Sequence, residues 1–149
     1  MKRLPVTYQD LMHYLAMQKQ NENILQRIAD MKANEYYPSG GASDGSQHTG
    51  SAGDRMARAV ERRLAYESTY LPTVEHNKTI MAEIERTVRL LPDYLEQEVL
   101  RLRYLDSTSC RQTRWPEIAL ALYGDDDEKY LHAVMRIHKK AIHHIESIV

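Results

Sequence analysis

Five of the six glycines of this 149-residue chain fall between Ser39 and Gly53, in company with four serines. Glycine loses more backbone freedom on folding than any other residue, and this stretch has few apolar side chains to offset that cost. Residues 36–53, opened by Tyr36-Tyr37-Pro38, therefore read as a flexible linker. The glycines do not form a phosphate cradle of the Walker type. Gly50-Ser51-Ala52-Gly53-Asp54-Arg55 lacks the Lys-Ser/Thr pair that must open the next helix. Regular structure is thereby confined to the segments on either side.

Residues 1–35 supply the first. Between Thr7 and Lys32 there is neither glycine nor proline, and Leu, Met, Gln, Lys and Glu dominate, which favours helix. Thr7 is the expected N-cap. Leu11, Met12 and Leu15 share one face and Leu25, Ile28 and Met31 another, while the polar run from Gln18 to Asn23 predicts a weak or kinked middle.

The segment 54–91 opens on Asp54 as its expected N-cap. Alternating steps of four and three from Met56 pass through Val60, Arg63, Glu67, Tyr70, Val74, Asn77, Met81, Ile84, Val88 and Leu91, and eight of these eleven are apolar. That spacing predicts a long helix with a coiled-coil-like seam, in which Arg63, Glu67 and Asn77 cost stability and set the register. Pro72 lacks a backbone donor, but the phase of the seam survives across it, which favours a kink over a break. The two helices are expected to pair as an antiparallel hairpin. Met56, Val60, Tyr70, Val74, Met81, Ile84 and Val88 would form an oligomerisation seam if the hairpin is doubled in a dimer.

Residues 92–149 are organised differently. Pro92 ends the seam helix and Asp93 caps a new one, Tyr94 to about Leu105, with Leu95, Val99, Leu102 and Leu105 apolar. After a polar loop, Pro116 suits the first turn of a short helix, Gly124 stops it, and the turn Asp125-Asp126-Asp127 leads into a last helix from Glu128 to about Ser147. The chain is thus expected to be all-α, a long helical hairpin followed by a C-terminal three-helix module.

Twenty Lys+Arg against twenty-one Asp+Glu give a net charge of −1, which excludes a globally basic nucleic-acid coat or a polybasic membrane binder. No apolar run approaches the roughly 20 residues of a membrane span, and the N-terminus has no signal-peptide core. A single cysteine, Cys110, excludes an internal disulfide and fits a reducing compartment, so a cytoplasmic location is expected. Any binding of nucleic acid must come from a local patch, and the last helix carries one. At 100° per residue, Leu131, Val134, Ile137, Ala141, Ile142, Ile145 and Ile148 fall on one side, with Tyr130 and His138 among them. Lys129, His132, Arg136, Lys139, Lys140 and His143 fall on the other. A solvated charged face is the ordinary meaning of such a stripe. A short helix, a turn and then this helix is also the arrangement that lays a second helix in a DNA major groove.

Three blocks in order carry a resemblance: Leu91-Pro92 through Val99-Leu100-Arg101-Leu102-Arg103-Tyr104, then Glu117-Ile118-Ala119, then Val134 through Ile137 to Ala141-Ile142. This resembles the helix-turn-helix of region four in bacterial sigma factors. The chain as a whole is similar to the small phage proteins related to the ArpU and RinA late-gene regulators. The resemblance implies a transcriptional regulator that binds double-stranded DNA at a promoter, with bacterial RNA polymerase as a further partner, and the seam adds the expectation of a homo-oligomer. Position by position, it places Leu131, His132, Met135 and Arg136 at base-reading sites, of which Leu131 and Met135 depart from the usually charged pattern. Arg136 suits a guanine edge and His132 can donate or accept. Arg114, Lys129, Lys139 and Lys140 would hold phosphates. Against this, residues 93–149 contain eight Lys+Arg and ten Asp+Glu, a net of −2, and Asp125 to Glu128 set four carboxylates at the start of the basic helix. A single copy should therefore bind DNA weakly.

Other chemistries have little to stand on. Consecutive acids cannot all converge on one ion, and His138, His143 and His144 lack the i,i+4 spacing of a helical zinc pair, so no metal or cofactor is expected. No sequence motif pairs Cys110 with a His or an acid for nucleophilic catalysis, and the chain is not expected to be an enzyme or to take a small-molecule substrate. The small subunit of a phage DNA-packaging terminase and a polymerase-binding protein with little DNA affinity are the alternatives.

Overall fold

The computed structural model describes residues 5–36, 52–108 and 110–148. Among them are five helices and no strand: α1 (Tyr8–Tyr36), α2 (Ala52–Arg89), α3 (Tyr94–Leu100), α4 (Trp115–Tyr123) and α5 (Glu128–Glu146). A π-helical turn, Arg101–Leu105, continues α3. The expected all-α fold with its long hairpin is what the chain adopts. Tyr36 closes α1 and Ala52 and Gly53 open α2, and the rest of the Gly/Ser stretch lies outside the described residues.

Thr7 caps α1 with a reciprocal pair: its Oγ1 accepts from the Asp10 N–H at 3.3 Å, and the Asp10 carboxylate accepts from the Thr7 N–H at 2.9 Å. This is the capping-box geometry with aspartate in the glutamate position. The polar middle of α1 does not interrupt it, because Asn21 is buried and bonded. Asp54 lies in the first turn of α2, not at its cap, where its charge still favours the positive end of the helix dipole. α2 runs through Pro72, which is exposed, as is Ser68, whose carbonyl loses its helical donor. On the solvent side that loss is tolerable because water can take the donor's place.

The chain divides into two compact units, cut at Lys19/Gln20 and at Asn77/Lys78. The unit of residues 20–77 is a pair of antiparallel helical segments. Ile24 and Ile28 of α1 pack with Val74, Tyr66 and Leu71 of α2. Its register is marked by polar contacts at both ends. The Asn77 side-chain amide donates one hydrogen to Asn21 Oδ1 at 2.9 Å and the other to Gln20 Oε1 at 2.8 Å. Arg63 bridges Glu35 of α1 and Glu67 of its own helix. The three polar seam residues thus contact one another or α1.

In the other unit, Leu11, Tyr14 and Leu15 of α1, Ile84 and Val88 of α2 and Leu91 just beyond it share a core with Leu100, Tyr104 and Leu105, and with Ala141 and Ile145 of α5. The Tyr14 hydroxyl donates to Glu85, and burial together with that carboxylate holds its pKa above the usual phenol value. A second core joins Val99, Ile118, Ala119 and Val134. Asp93 caps α3 by accepting from the Leu95 N–H at 2.9 Å. In the π turn the Asp106 N–H reaches back five residues to the Arg101 carbonyl at 2.8 Å. Val99 and Leu100 before the wider turn and Tyr104 and Leu105 within it are buried, while Leu95 is exposed.

The Asn21–Asn77 contact yields a stability prediction. Asn77→Ala should cost about 1–3 kcal/mol, because it leaves the buried Asn21 oxygen without a donor. Converting both residues to leucine should restore most of the loss. Urea unfolding of the two variants checks it, and an Asn77→Ala midpoint equal to wild type would refute the assignment.

Candidate functional site

The last two helices are built by local rules. Arg114 is the N-cap residue of α4, with Pro116 in its first turn. Gly124 ends α4 at φ 72°, its N–H donating to the Leu120 carbonyl at 2.9 Å, in the left-handed conformation that glycine adopts without strain. Asp127 then caps α5, its carboxylate accepting from Glu128 and its carbonyl from Tyr130 and Leu131, while Asp125 accepts from the Asp127 N–H at 3.0 Å. At least two acids of the run are therefore used in turning the chain and starting the helix.

α5 packs against α3 and α4. Val134, Ala141 and Ile145 are fully buried, and Leu131, Ile137, Ile142 and Ile148 are half-buried around them. The opposite side is open. Lys129, His132, Arg136, Lys139, Lys140 and His143 are all exposed. Lys129, His132, Arg136 and Lys139 line an open depression of about 610 Å³, and Met135 lines it with them. Lys140 lies one residue beyond that lining. Arg114 is exposed at the start of α4, outside the depression. Of the two apolar residues at the positions the resemblance assigns to base reading, Leu131 packs on the second core, whereas Met135 is 43% exposed. Lys129 sits 4.8 Å over the Tyr130 ring, and His132 is 3.9 Å from the Glu128 carboxylate.

Of the seam residues, Val74, Ile84 and Val88 are buried within the chain and Met81 packs against its core. Val60 is half-buried, and Met56 and Tyr70 are exposed.

Behind the stripe lies a cluster that local sequence spacing could not foretell. The Arg103 guanidinium stacks 4.1 Å over the Trp115 ring and donates to the Thr113 carbonyl at 2.6 Å, tying the π turn to the loop before α4. The Trp115 ring meets His138 edge-on at 4.8 Å, and the Tyr104 hydroxyl lies 2.6 Å from His138 Nε2. Burial first, and the Arg103 charge second, push His138 down to about 4, while burial raises Tyr104 to about 12. Both are neutral at pH 7, so the hydroxyl donates and the imidazole accepts. At the other end of α5, His144 Nδ1 lies 2.8 and 2.9 Å from the two oxygens of the buried Glu96, fastening the helix to α3. Among the described residues no group of three or more His, Cys, Asp or Glu is placed to hold a metal ion, and no helix is long and apolar enough to cross a membrane.

The chain matches no family model, no curated protein and no solved structure.

His138 makes stability depend on pH with a definite sign. The unfolded chain takes a proton near the ordinary histidine value of about 6.5, but the folded chain resists protonation down to about 4. Stability is therefore complete above that window and falls as pH drops through it. His138→Gln keeps a hydrogen-bond partner for Tyr104 and should flatten this part of the profile. Urea midpoints at pH 7 and pH 4.5 for both proteins measure it; an equal drop in the two would show that His138 is not the source.

Proposed function

We propose that this chain is a sequence-specific, DNA-binding transcriptional regulator of the phage type, in which α4, the four-residue turn and α5 act as a helix-turn-helix and α5 enters the major groove. The observation that carries this reading is the exposed cationic side of a helix whose other side is packed into the two cores. α5 cannot rotate to bring that side into the protein, and it follows a shorter packed helix in the order used for groove docking. Arg136 reads a base edge, for which its forked donors suit guanine, and His132 reads beside it. Lys129, Lys139, Lys140 and Arg114 hold phosphates and set the position without selecting sequence. The sigma-like order of blocks in residues 91–142 supports the same assignment, and contact with bacterial RNA polymerase belongs to it.

With a net charge of −2 over residues 93–149, one copy neutralises few phosphates. Binding as an oligomer compensates by raising the effective concentration of the second module. Val74, Ile84 and Val88 are already buried in the chain, so residues such as Met56, Leu64 and Tyr70, each more than two-fifths exposed, are the ones α2 has free for a second copy.

Arg136→Ala should abolish discrimination between specific and scrambled duplexes. Lys140→Ala should weaken both about equally and reduce the salt slope by about one. Fluorescence anisotropy at two salt concentrations reads both effects, and salt-insensitive binding that is identical for wild type and both variants would remove the proposal. Sedimentation velocity of the full chain should give more than a monomer mass at tens of micromolar; a strict monomer would refute the oligomeric part alone.

A further inference from the structure

Met135 stands out in the surroundings just described. It is 43% exposed, and it lines the open depression with three lysine or arginine side chains and a histidine. On the wheel it lies at the margin of the stripe, beside Lys139 and away from the centre of the buried face. Among the residues lining the depression it alone has an apolar side chain.

Its place along α5 gives it a task. At about 1.5 Å of rise per residue, Lys129 and Lys139 are separated by about 15 Å along the axis. The major groove is about 12 Å wide. Two long cationic side chains at that separation match the phosphate walls on either side of a groove. His132, Met135 and Arg136 fall between them, where the base edges lie. In the major groove, the 5-methyl group of thymine is the apolar feature that a base pair presents. A thioether on a flexible unbranched chain can adapt to it.

Resting on the proposal that α5 is a groove-reading helix, we infer that Met135 is a specificity-determining residue that contacts the 5-methyl group of a thymine next to the guanine read by Arg136. The selectivity of the helix then has two parts. Arg136 selects a guanine by hydrogen bonds, and Met135 selects thymine over cytosine or an unmethylated pyrimidine by burying one methyl group. A methyl buried in such a contact accounts for about a four-fold change in affinity.

The test uses the full-length chain. Duplexes enriched from a random library define the site, and each thymine in it is then replaced singly by deoxyuridine, which deletes only the 5-methyl group. Anisotropy titrations compare wild type, Met135→Ala and Met135→Leu, with circular dichroism confirming that each variant keeps its helix content. One replacement, adjacent to the guanine whose change is felt through Arg136, should weaken wild type about four-fold and leave Met135→Ala unaffected. Met135→Leu should keep most of the discrimination. An enriched site in which no thymine is sensitive, or in which the sensitive one remains so in Met135→Ala, would overturn the inference and leave the DNA-reading proposal standing. A library that yields no enriched sequence would overturn both.

Discussion

The rotation of α5 about its own axis is the constraint on which the rest of this structure depends. Val134, Ala141 and Ile145 are spaced seven and four residues apart, on one stripe, and all three are fully buried. Val134 belongs to the core with Val99, Ile118 and Ala119, while Ala141 and Ile145 belong to the core with Leu11, Leu15, Ile84 and Val88. A turn of one residue, about 100°, would bring Met135, Ile142 and Glu146 inward and strand a carboxylate in a core. The two cores therefore hold α5 in one setting, and its basic side faces outward as a consequence of packing.

Polar groups refine what the apolar groups permit. A two-helix pair held by Ile24, Ile28 and Val74 alone would tolerate sliding by one turn, since leucine-like surfaces fit several registers. Asn77, bonded to both Gln20 and Asn21, and Arg63, bonded to Glu35, are satisfied in only one register. The same logic holds near α5, where Glu96 is buried against His144 and Arg103 lies on Trp115. Such contacts add little net stability, but leaving any of them half-made is costly.

Charge is distributed by function of position and not by total. The chain is close to neutral, yet the cations of α5 lie along its exposed side, and acids at its start serve as caps. Carboxylates at a helix N-terminus favour the dipole, so the segment that would repel phosphate is also the one that starts the helix. In the proposed reader this opposition weakens the binding of a single copy and makes it depend on assembly.

The features legible in the sequence are those whose hydrogen bonds close within a few residues. Thr7 and Asp93 cap, Gly124 stops α4, Pro116 sits in a first turn, and the two sides of α5 follow from spacing alone. The seam of α2 was also visible, with the positions that weaken it. What could not be read there are the partners. Asn21 lies 56 residues from Asn77, Glu96 lies 48 from His144, and Tyr104 lies 34 from His138. The polar middle of α1 looked like a fault because its partner lies on another helix, and the π turn after Leu100 could not be anticipated by a rule that assumes 3.6 residues per turn. The sequence by itself determined where most of the helices begin and end, to within a few residues, and which side of α5 is apolar, since those depend on neighbours along the chain. Only the tertiary structure decided which buried polar groups meet, and that Met135, at the margin between the two sides of α5, lies in the open, because burial depends on residues that the chain brings near only when it folds.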